Sequence, residues 1–179
     1  EKLTAAFNRT VVGDGLNDET TMGPLNNRTQ FDFVRGLLDH ADRSGLNVKV
    51  CGRKLNPDGW DNGYFVQPAV VTRGTHDDEL VGCEQFGPVI PIVPFEEDRQ
   101  AVAWANDTIY GLRASVWTAD RARAERLADR IHAGAVFHNN HGIFGDLHLE
   151  FPGVKQSGLG HESRLMGFDF YVDSYGFAN

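Results

Sequence analysis

The sequence is poor in cysteine and lacks both long apolar runs and basic runs. Its two cysteines among 179 residues are too few for a disulfide framework, so free thiols and a cytoplasmic location are expected. No apolar run approaches about 18 residues, so no transmembrane helix is expected. Residues 1–12 lack the layout of a signal peptide. The net charge of −8 argues against nucleic acid and anionic membranes as partners.

What is present indicates a folded chain of the α/β class. Apolar residues make up 41% of the sequence, which is enough to bury a core. Helical spacing of apolar residues predicts helices at 1–9, from 26 or 27 to 44, at 98–106 and at 119–132, and Gly45 is interpreted as the stop of the second. Alternating or β-branched runs predict strands at 47–51, 64–66, 69–71, 89–95, 114–117, 135–138 and 168–175. This alternation favours a largely parallel sheet flanked by helices.

The motif Glu84-Gln85-Phe86-Gly87-Pro88 is the most informative local pattern. It places a carboxylate, an aromatic ring, a glycine and a proline directly before a predicted strand. A carboxylate can accept hydrogen bonds from the two hydroxyls of a ribose, as acidic residues do in dinucleotide sites. An aromatic ring two positions later can pack against a flat ring. The alternative is that Glu84 is a surface charge and Phe86 a core residue.

Other reactive side chains do not form a convincing catalytic pattern. Five histidines occur late in the chain, but their spacing is not that of a metal site, so no metal is expected; they are His132, His138, His141, His148 and His161. Cys83 directly precedes Glu84, and a neighbouring carboxylate raises a thiol pKa. Cys51 ends an apolar strand. Both cysteines are therefore interpreted as structural thiols.

A set of motifs along the chain resembles the C-terminal part of NAD(P)-dependent aldehyde dehydrogenases. The resemblance runs over nearly the whole chain, and the motifs occur in the order and spacing of that family. They are Val12-Gly13-Asp14, Gly23-Pro24, Gly63-Tyr64-Phe65-Val66-Gln67-Pro68, Glu84-Gln85-Phe86-Gly87-Pro88, Ala105-Asn106, Tyr110-Gly111-Leu112, Ala133-Gly134-Ala135-Val136, Asn139 and Lys155-Gln156-Ser157-Gly158-Leu159-Gly160. Each motif is weak by itself, whereas the ordered set is specific.

The resemblance implies oxidation of a small-molecule aldehyde to a carboxylic acid with NAD or NADP. In this family a cysteine thiolate attacks the aldehyde, and a thioester is later hydrolysed by water that a glutamate activates. Glu84 matches the glutamate that hydrogen-bonds the nicotinamide ribose, and Phe86 matches the aromatic beside the nicotinamide. Phe151, Asn139 and Phe144 match positions that line or flank the substrate tunnel.

The same resemblance implies that no catalytic residue lies in this chain. The family's nucleophilic cysteine, in a Gly-Gln-x-Cys setting, and its general-base glutamate would lie upstream. We therefore expect a truncated or proteolytic fragment that is inactive alone. Residues 1–162 would be part of the catalytic domain, and residues 163–179 a tail with an oligomerisation strand of a homodimer or homotetramer. Glu150-Phe151-Pro152-Gly153 departs from the usual Pro-Phe-Gly-Gly, which implies a reshaped tunnel wall.

Two alternatives to a hydrolytic aldehyde dehydrogenase remain. One is a non-catalytic binding or oligomerisation module derived from the same fold, in which the strand at 168–175 pairs with another subunit. The other is a CoA-acylating or phosphate-reducing relative. Residues 63–68 and 155–160 look more like the hydrolytic enzymes, which ranks this second alternative lower.

Overall fold

The computed structural model describes residues 1–141, 150–173 and 175–177. It divides the chain into two compact units, Glu1–Pro94 and Phe95–Asn179. This division was not predicted, because no composition shift or linker marks Pro94. The predicted boundary after residue 162 stays a prediction.

Short helices and strands alternate through both units. The helices are α1 (Lys2–Phe7), α2 (Arg28–Arg43), α3 (Glu79–Gly82), α4 (Asp98–Asn106), α5 (Arg121–Ala128) and α6 (Arg164–Asp169). The strands are β1 (Val11–Val12), β2 (Asn47–Val50), β3 (Arg53–Lys54), β4 (Ala69–Thr72), β5 (Val89–Pro91), β6 (Arg113–Val116), β7 (Ala135–His138), β8 (Phe151–Pro152) and β9 (His161–Glu162). Single 3₁₀ turns occupy Trp60–Asn62 and Lys155–Ser157.

Helix α2 is the longest element, and its sequence explains both of its ends. The side chain of Asn27 accepts a 2.9 Å hydrogen bond from the backbone N–H of Gln30, which caps the first turn. Gly45, with φ of +80°, follows the last turn, where a side chain would be strained. The predicted helix is thereby confirmed.

The core of the first unit lies between α2 and a three-stranded sheet. The buried side chains come from one face of the helix and from the strands and loops opposite it. They are Val34, Leu37, Ala41, Val66, Ala69, Val71, Leu80 and Val89. The sheet has the order β2-β4-β5, with β2 antiparallel and β5 parallel to β4. This sheet holds the beginning of β5, and therefore the motif before it, against the helix.

The described strands form four small sheets rather than one large sheet. Pairs β1–β3, β4–β5 and β6–β7 are parallel, whereas β2–β4 and β8–β9 are antiparallel. The α/β class is confirmed, and parallel pairing predominates only slightly. The predicted strand at 89–95 ends at Pro91, and prolines 91 and 94 lack the N–H that a longer ladder needs.

In the second unit, helices α4 and α5 alternate along the chain with the parallel strands β6 and β7. Val102 of α4 and Ala124 of α5 are buried. The predicted helix at 98–106 is confirmed, while the one at 119–132 is shorter than predicted and ends at Ala128. Just beyond it, the backbone N–H of His132 donates to Oδ1 of Asn106 at 2.7 Å, which holds the chain out of the helical path.

The prediction of a terminal strand at 168–175 is wrong for the residues that the structure describes. Phe168 lies in helix α6, and residues 170–173 and 175 are not in a strand. A strand needs a hydrogen-bonded neighbour to satisfy its backbone groups, and none of the described strands pairs with this segment. The alternation of Phe168, Phe170 and Val172 was therefore not sufficient to form a strand. Likewise, residues 64–66 are not a strand.

Within the part of the chain described, no helix combines the length and apolarity that crossing a membrane requires.

Candidate functional site

The loop Glu84–Pro88 is held in place by helix α2. The side-chain amide of Gln30 donates to the carbonyl of Gln85, and the side chain of Gln85 in turn donates to the carbonyl of Val89. Gly87 lies so close to the helix that a Cβ there would come within 2.7 Å of Cγ2 of Val34. The loop therefore has a fixed path that depends on a glycine at this position.

Two side chains project from this fixed loop. Glu84 is exposed, and its carboxylate has no hydrogen-bond or ion-pair partner among the described residues. Phe86 is 73% exposed and has φ of +38°, a backbone conformation that is costly for a residue with a bulky side chain. An exposed aromatic ring in a strained conformation favours a role in contact with another molecule. The alternative that Phe86 is a core residue is wrong.

This pair of side chains fits a nucleoside. A carboxylate with free lone pairs can accept hydrogen bonds from both hydroxyls of a ribose, and an exposed ring offers a face to a flat heterocycle. The strained backbone of Phe86 and the tight packing at Gly87 hold Glu84 and Phe86 in position before a ligand binds.

Neither cysteine has the environment of a nucleophile. Burial, and secondarily the negative charge of Glu79, raise the pKa of the Cys83 thiol. The sequence predicted this direction, although the carboxylate responsible is Glu79 rather than Glu84. Cys51 is 2% exposed, and its Sγ lies 3.4 Å from the carbonyl oxygen of Lys49. Reactive cysteines need a lowered pKa and access, which Cys83 and Cys51 respectively lack.

In the second unit, the structure brings several of the spaced motifs together. Nζ of Lys155 donates to the carbonyls of Asn106 and Thr108 at 2.8 and 3.2 Å. The hydroxyl of Ser157 accepts from the backbone N–H of Gly111 at 2.8 Å. The loop at 155–160 is thus pinned to the segment after α4. Lys155 therefore holds two backbone carbonyls in place, which gives the loop at 155–160 a structural role.

The predicted tunnel residues lie in different settings. Asn139, with φ of +53°, pairs with the backbone of Thr118, accepting from its N–H and donating to its carbonyl, both at 2.9 Å. Its amide thus fixes the end of β7. Phe151 begins β8 and lines a cavity of about 310 Å³ together with Leu112 and the 157–162 segment. Phe144 lies outside the described residues.

A residue that the sequence interpretation missed contacts Phe151 directly. Cζ of Arg113 lies 4.2 Å from the centroid of the Phe151 ring and 5.2 Å from that of Phe137. Arg113 and Phe137 come from the adjacent parallel strands β6 and β7. Arg113 pairs with Ala135, and Phe137 lies two residues further along β7. The only signal available in the sequence was an arginine directly before the predicted strand at 114–117.

The described histidines do not converge, and His148 lies outside the described residues. Nε2 of His138 lies 2.9 Å from the carbonyl oxygen of Thr118, and Nδ1 of His141 lies 3.2 Å from Oγ of Ser115. In the described ranges, no group of three or more histidine, cysteine, aspartate or glutamate side chains could hold a metal ion.

The fold and the exposed acidic–aromatic loop define a mixed α/β protein with a nucleoside-compatible surface loop. A sequence model of the aldehyde dehydrogenase family matches residues 1–175. The chain therefore belongs to the aldehyde dehydrogenase family.

Individual relatives agree with this assignment. The chain is 35% identical to betaine aldehyde dehydrogenase from Brucella anthropi, over 96% of this chain and 35% of the relative. It is also 35% identical to human 4-trimethylaminobutyraldehyde dehydrogenase, over the same shares. Betaine aldehyde dehydrogenase from Staphylococcus aureus in complex with NAD+ matches 95% of this chain and 34% of that structure, with a TM-score of 0.84 and 30% identity. The chain thus spans about a third of the length of these relatives.

Proposed function

We propose that this chain is the C-terminal part of the catalytic domain of an NAD(P)-dependent aldehyde dehydrogenase. The reaction is oxidation of an aldehyde to a carboxylic acid, with a nucleophilic cysteine supplied from outside this chain. The observation that carries the proposal is the Glu84–Pro88 loop, which combines the family's ordered motif with an exposed carboxylate and a strained, exposed ring. Crystallisation of the Staphylococcus aureus relative with NAD+ supports the choice of cofactor.

In this proposal Glu84 and Phe86 bind and orient the cofactor. The cofactor, when bound, accepts a hydride from the substrate carbon. Glu84 accepts hydrogen bonds from the nicotinamide ribose, and Phe86 packs beside the nicotinamide end. Gln30 and Val34 of helix α2 hold the loop in place. Glu84 and Phe86 therefore need little rearrangement to contact the cofactor.

Residues of the second unit are proposed to form part of the aldehyde route. Phe151 supplies an aromatic wall, and Phe144 belongs to the same tunnel. Asn139 acts indirectly, because its amide is engaged with the backbone of Thr118 and fixes the turn after β7. The relatives are named for betaine aldehyde and 4-trimethylaminobutyraldehyde, and both of these aldehydes carry a trimethylammonium group.

The assembly is proposed to be a cytoplasmic homo-oligomer. Large side chains of the C-terminal tail are strongly exposed, including Phe170 at 63% and Tyr171 at 84%. A cluster of exposed aromatic side chains is typical of a surface that another chain covers. Analytical ultracentrifugation of the protein with and without residues 165–179 tests this, because loss of the tail is expected to lower the oligomeric state. An unchanged state would contradict it.

The activity is tested by expressing the chain together with the sequence that precedes it in its gene. Oxidation of an aldehyde that depends on NAD+ or NADP+ is expected for this longer protein, and none for the 179 residues alone. A folded longer protein that oxidises no aldehyde with either cofactor would refute the proposal, as would full activity of the short chain.

A further inference from the structure

One side chain of helix α2 makes the only hydrogen bond to the main chain of residues 84–87 within the part of the chain that the structure describes. The side-chain amide of Gln30 donates to the carbonyl of Gln85. The next main-chain bond along the loop comes at Pro88, whose carbonyl accepts from the backbone N–H of Ala69 at 2.9 Å. Loss of the Gln30 amide would therefore leave these four residues with no main-chain hydrogen bond to the rest of the described protein.

The side chain of Gln30 is not used by its own helix. Gln30 is the third residue of α2, where a glutamine side chain commonly bonds back to the start of the helix. Asn27 already caps this turn, because its side chain accepts from the backbone N–H of Gln30 at 2.9 Å. The amide of Gln30 instead reaches a carbonyl 55 positions along the chain, in a contact that is partly buried. Its role therefore concerns the loop.

The bond from Gln30 fixes the orientation of the peptide group between Gln85 and Phe86. A planar peptide group turns as one unit, so its rotation changes ψ of Gln85 and φ of Phe86 together. The φ of Phe86 is +38°, which is costly for an aromatic residue. Rotation of this group towards a negative φ would relieve that cost and would break the bond from Gln30. The bond therefore opposes the relaxation of Phe86.

The directions of the two projecting side chains depend on this peptide group. Phe86 is 73% exposed, so few neighbouring atoms hold its ring in place. Glu84 is also exposed, and its carboxylate has no partner among the described residues. With so few contacts of their own, both side chains point where the main chain between them directs them.

We propose that Gln30 is a positioning residue for the cofactor, which rests on the proposed function. It acts through the carbonyl of Gln85 and keeps Glu84 and Phe86 in the arrangement that the nicotinamide end of NAD(P) requires. Without this bond the loop adopts that arrangement only part of the time, and the apparent Kd for the cofactor rises as the competent fraction falls. Bound cofactor selects the competent arrangement, so turnover at saturating cofactor is preserved.

Two variants test this in the longer protein that includes the upstream sequence, by isothermal titration calorimetry and steady-state kinetics. Gln30→Met removes the donor from a side chain of similar length, and Gln30→Glu keeps the shape but turns only acceptor oxygens to the carbonyl. Each should raise the Kd for NAD+ or NADP+ by about threefold to tenfold. The kcat at saturating cofactor and the KM for the aldehyde should stay within about twofold, whereas a general structural defect would lower kcat.

Gln67 provides a matched control in the same unit. Its side-chain amide donates to the carbonyls of Cys51 and Gly52 at 3.3 and 3.0 Å. Gln67→Met therefore removes the same kind of bond from a glutamine that does not contact the loop main chain. The Kd for the cofactor should stay within about twofold of wild type.

A fluorine label on the ring of Phe86 reports the position of the ring without any cofactor. Fluorine NMR of the longer protein should show one resonance in wild type and in Gln67→Met. In Gln30→Met and Gln30→Glu this resonance should be shifted or divided, and it should return towards the wild-type position when the cofactor is added.

The outcomes separate this inference from the proposed function. An unchanged Kd in Gln30→Met and Gln30→Glu overturns the inference, as does a ring resonance that stays at its wild-type position in both. An equal rise in Kd in Gln67→Met also overturns it, because loss of such a bond anywhere in the unit would then suffice. In these cases the proposed function stands. Failure of the folded longer protein to bind either cofactor overturns both.

Discussion

Replacing Gly87 with alanine tests whether helix α2 determines the position of the site loop. A Cβ at this position would lie 2.7 Å from Cγ2 and 3.0 Å from Cγ1 of Val34. Val34 is fully buried, so its methyl groups have little room to move away. Gly87 does not have a positive φ, so the cost comes from crowding and not from backbone strain.

The expected magnitudes follow from the packing. Overpacking of this kind costs about 1–3 kcal/mol in the free energy of unfolding. Val34→Ala removes the two methyl groups involved and should cost about 2 kcal/mol. In the double variant, the new methyl group of Gly87→Ala enters the space that Val34→Ala leaves. The double variant should therefore be more stable than the sum of the single effects predicts, by at least about 1 kcal/mol.

The assay is urea unfolding of the four proteins in this cycle, followed by far-ultraviolet circular dichroism. Gly36→Ala is the matched control. Gly36 lies in helix α2, as Val34 does, and a Cβ added to it would have nothing within 4 Å. It should stabilise the protein by up to about 1 kcal/mol. Additivity of the Gly87 and Val34 effects within about 0.5 kcal/mol would refute the proposed contact.

Three further predictions concern stability. Asn27→Ala removes the cap on the N–H of Gln30 and should lower the free energy of unfolding by about 1 kcal/mol, measured by urea unfolding; no change would contradict the cap. Asn106→Ala removes hydrogen bonds to two backbone groups after α5 and should cost about 1–3 kcal/mol, whereas a neutral effect would show that water replaces them. Hydrogen bonding from Arg123 lowers the pKa of Asp98 below its ordinary value of 3.8. The ionised Asp98 therefore stabilises the folded protein above pH 3.8, and this contribution is lost as the pH falls through the lowered pKa of the folded state. Thermal unfolding from pH 6 to pH 2 should therefore show a smaller acid loss for Asp98→Asn than for wild type, and equal losses would contradict this.

The elements that were predictable from the sequence are those fixed by local signals. Helix α2 follows from the cap at Asn27, the three- and four-residue spacing of its apolar positions, and Gly45. Residues 84–88 could be singled out by their chemistry, but their assignment to the cofactor came from the family resemblance and stays a prediction. In both cases the information lies within a few residues.

The features that were not predictable depend on residues far apart in the sequence. The 168–175 segment alternates like a strand, yet a strand forms only beside a partner. No local pattern indicates the role of Lys155, and only its contacts with the carbonyls of Asn106 and Thr108 show its structural use. The stack of Arg113 on Phe151 joins positions 38 apart, which no local pattern reveals.

The most direct test of the account is the affinity of Glu84→Gln for NAD+ and NADP+ in the protein that includes its upstream sequence. Isothermal titration calorimetry should show a Kd for the cofactor about tenfold or more above wild type, since the charge that strengthens the ribose hydrogen bonds is lost. Glu79→Gln, an exposed change five residues away, should bind as wild type does. An unchanged cofactor affinity in a folded Glu84→Gln protein would contradict the claim that this loop holds the nucleotide.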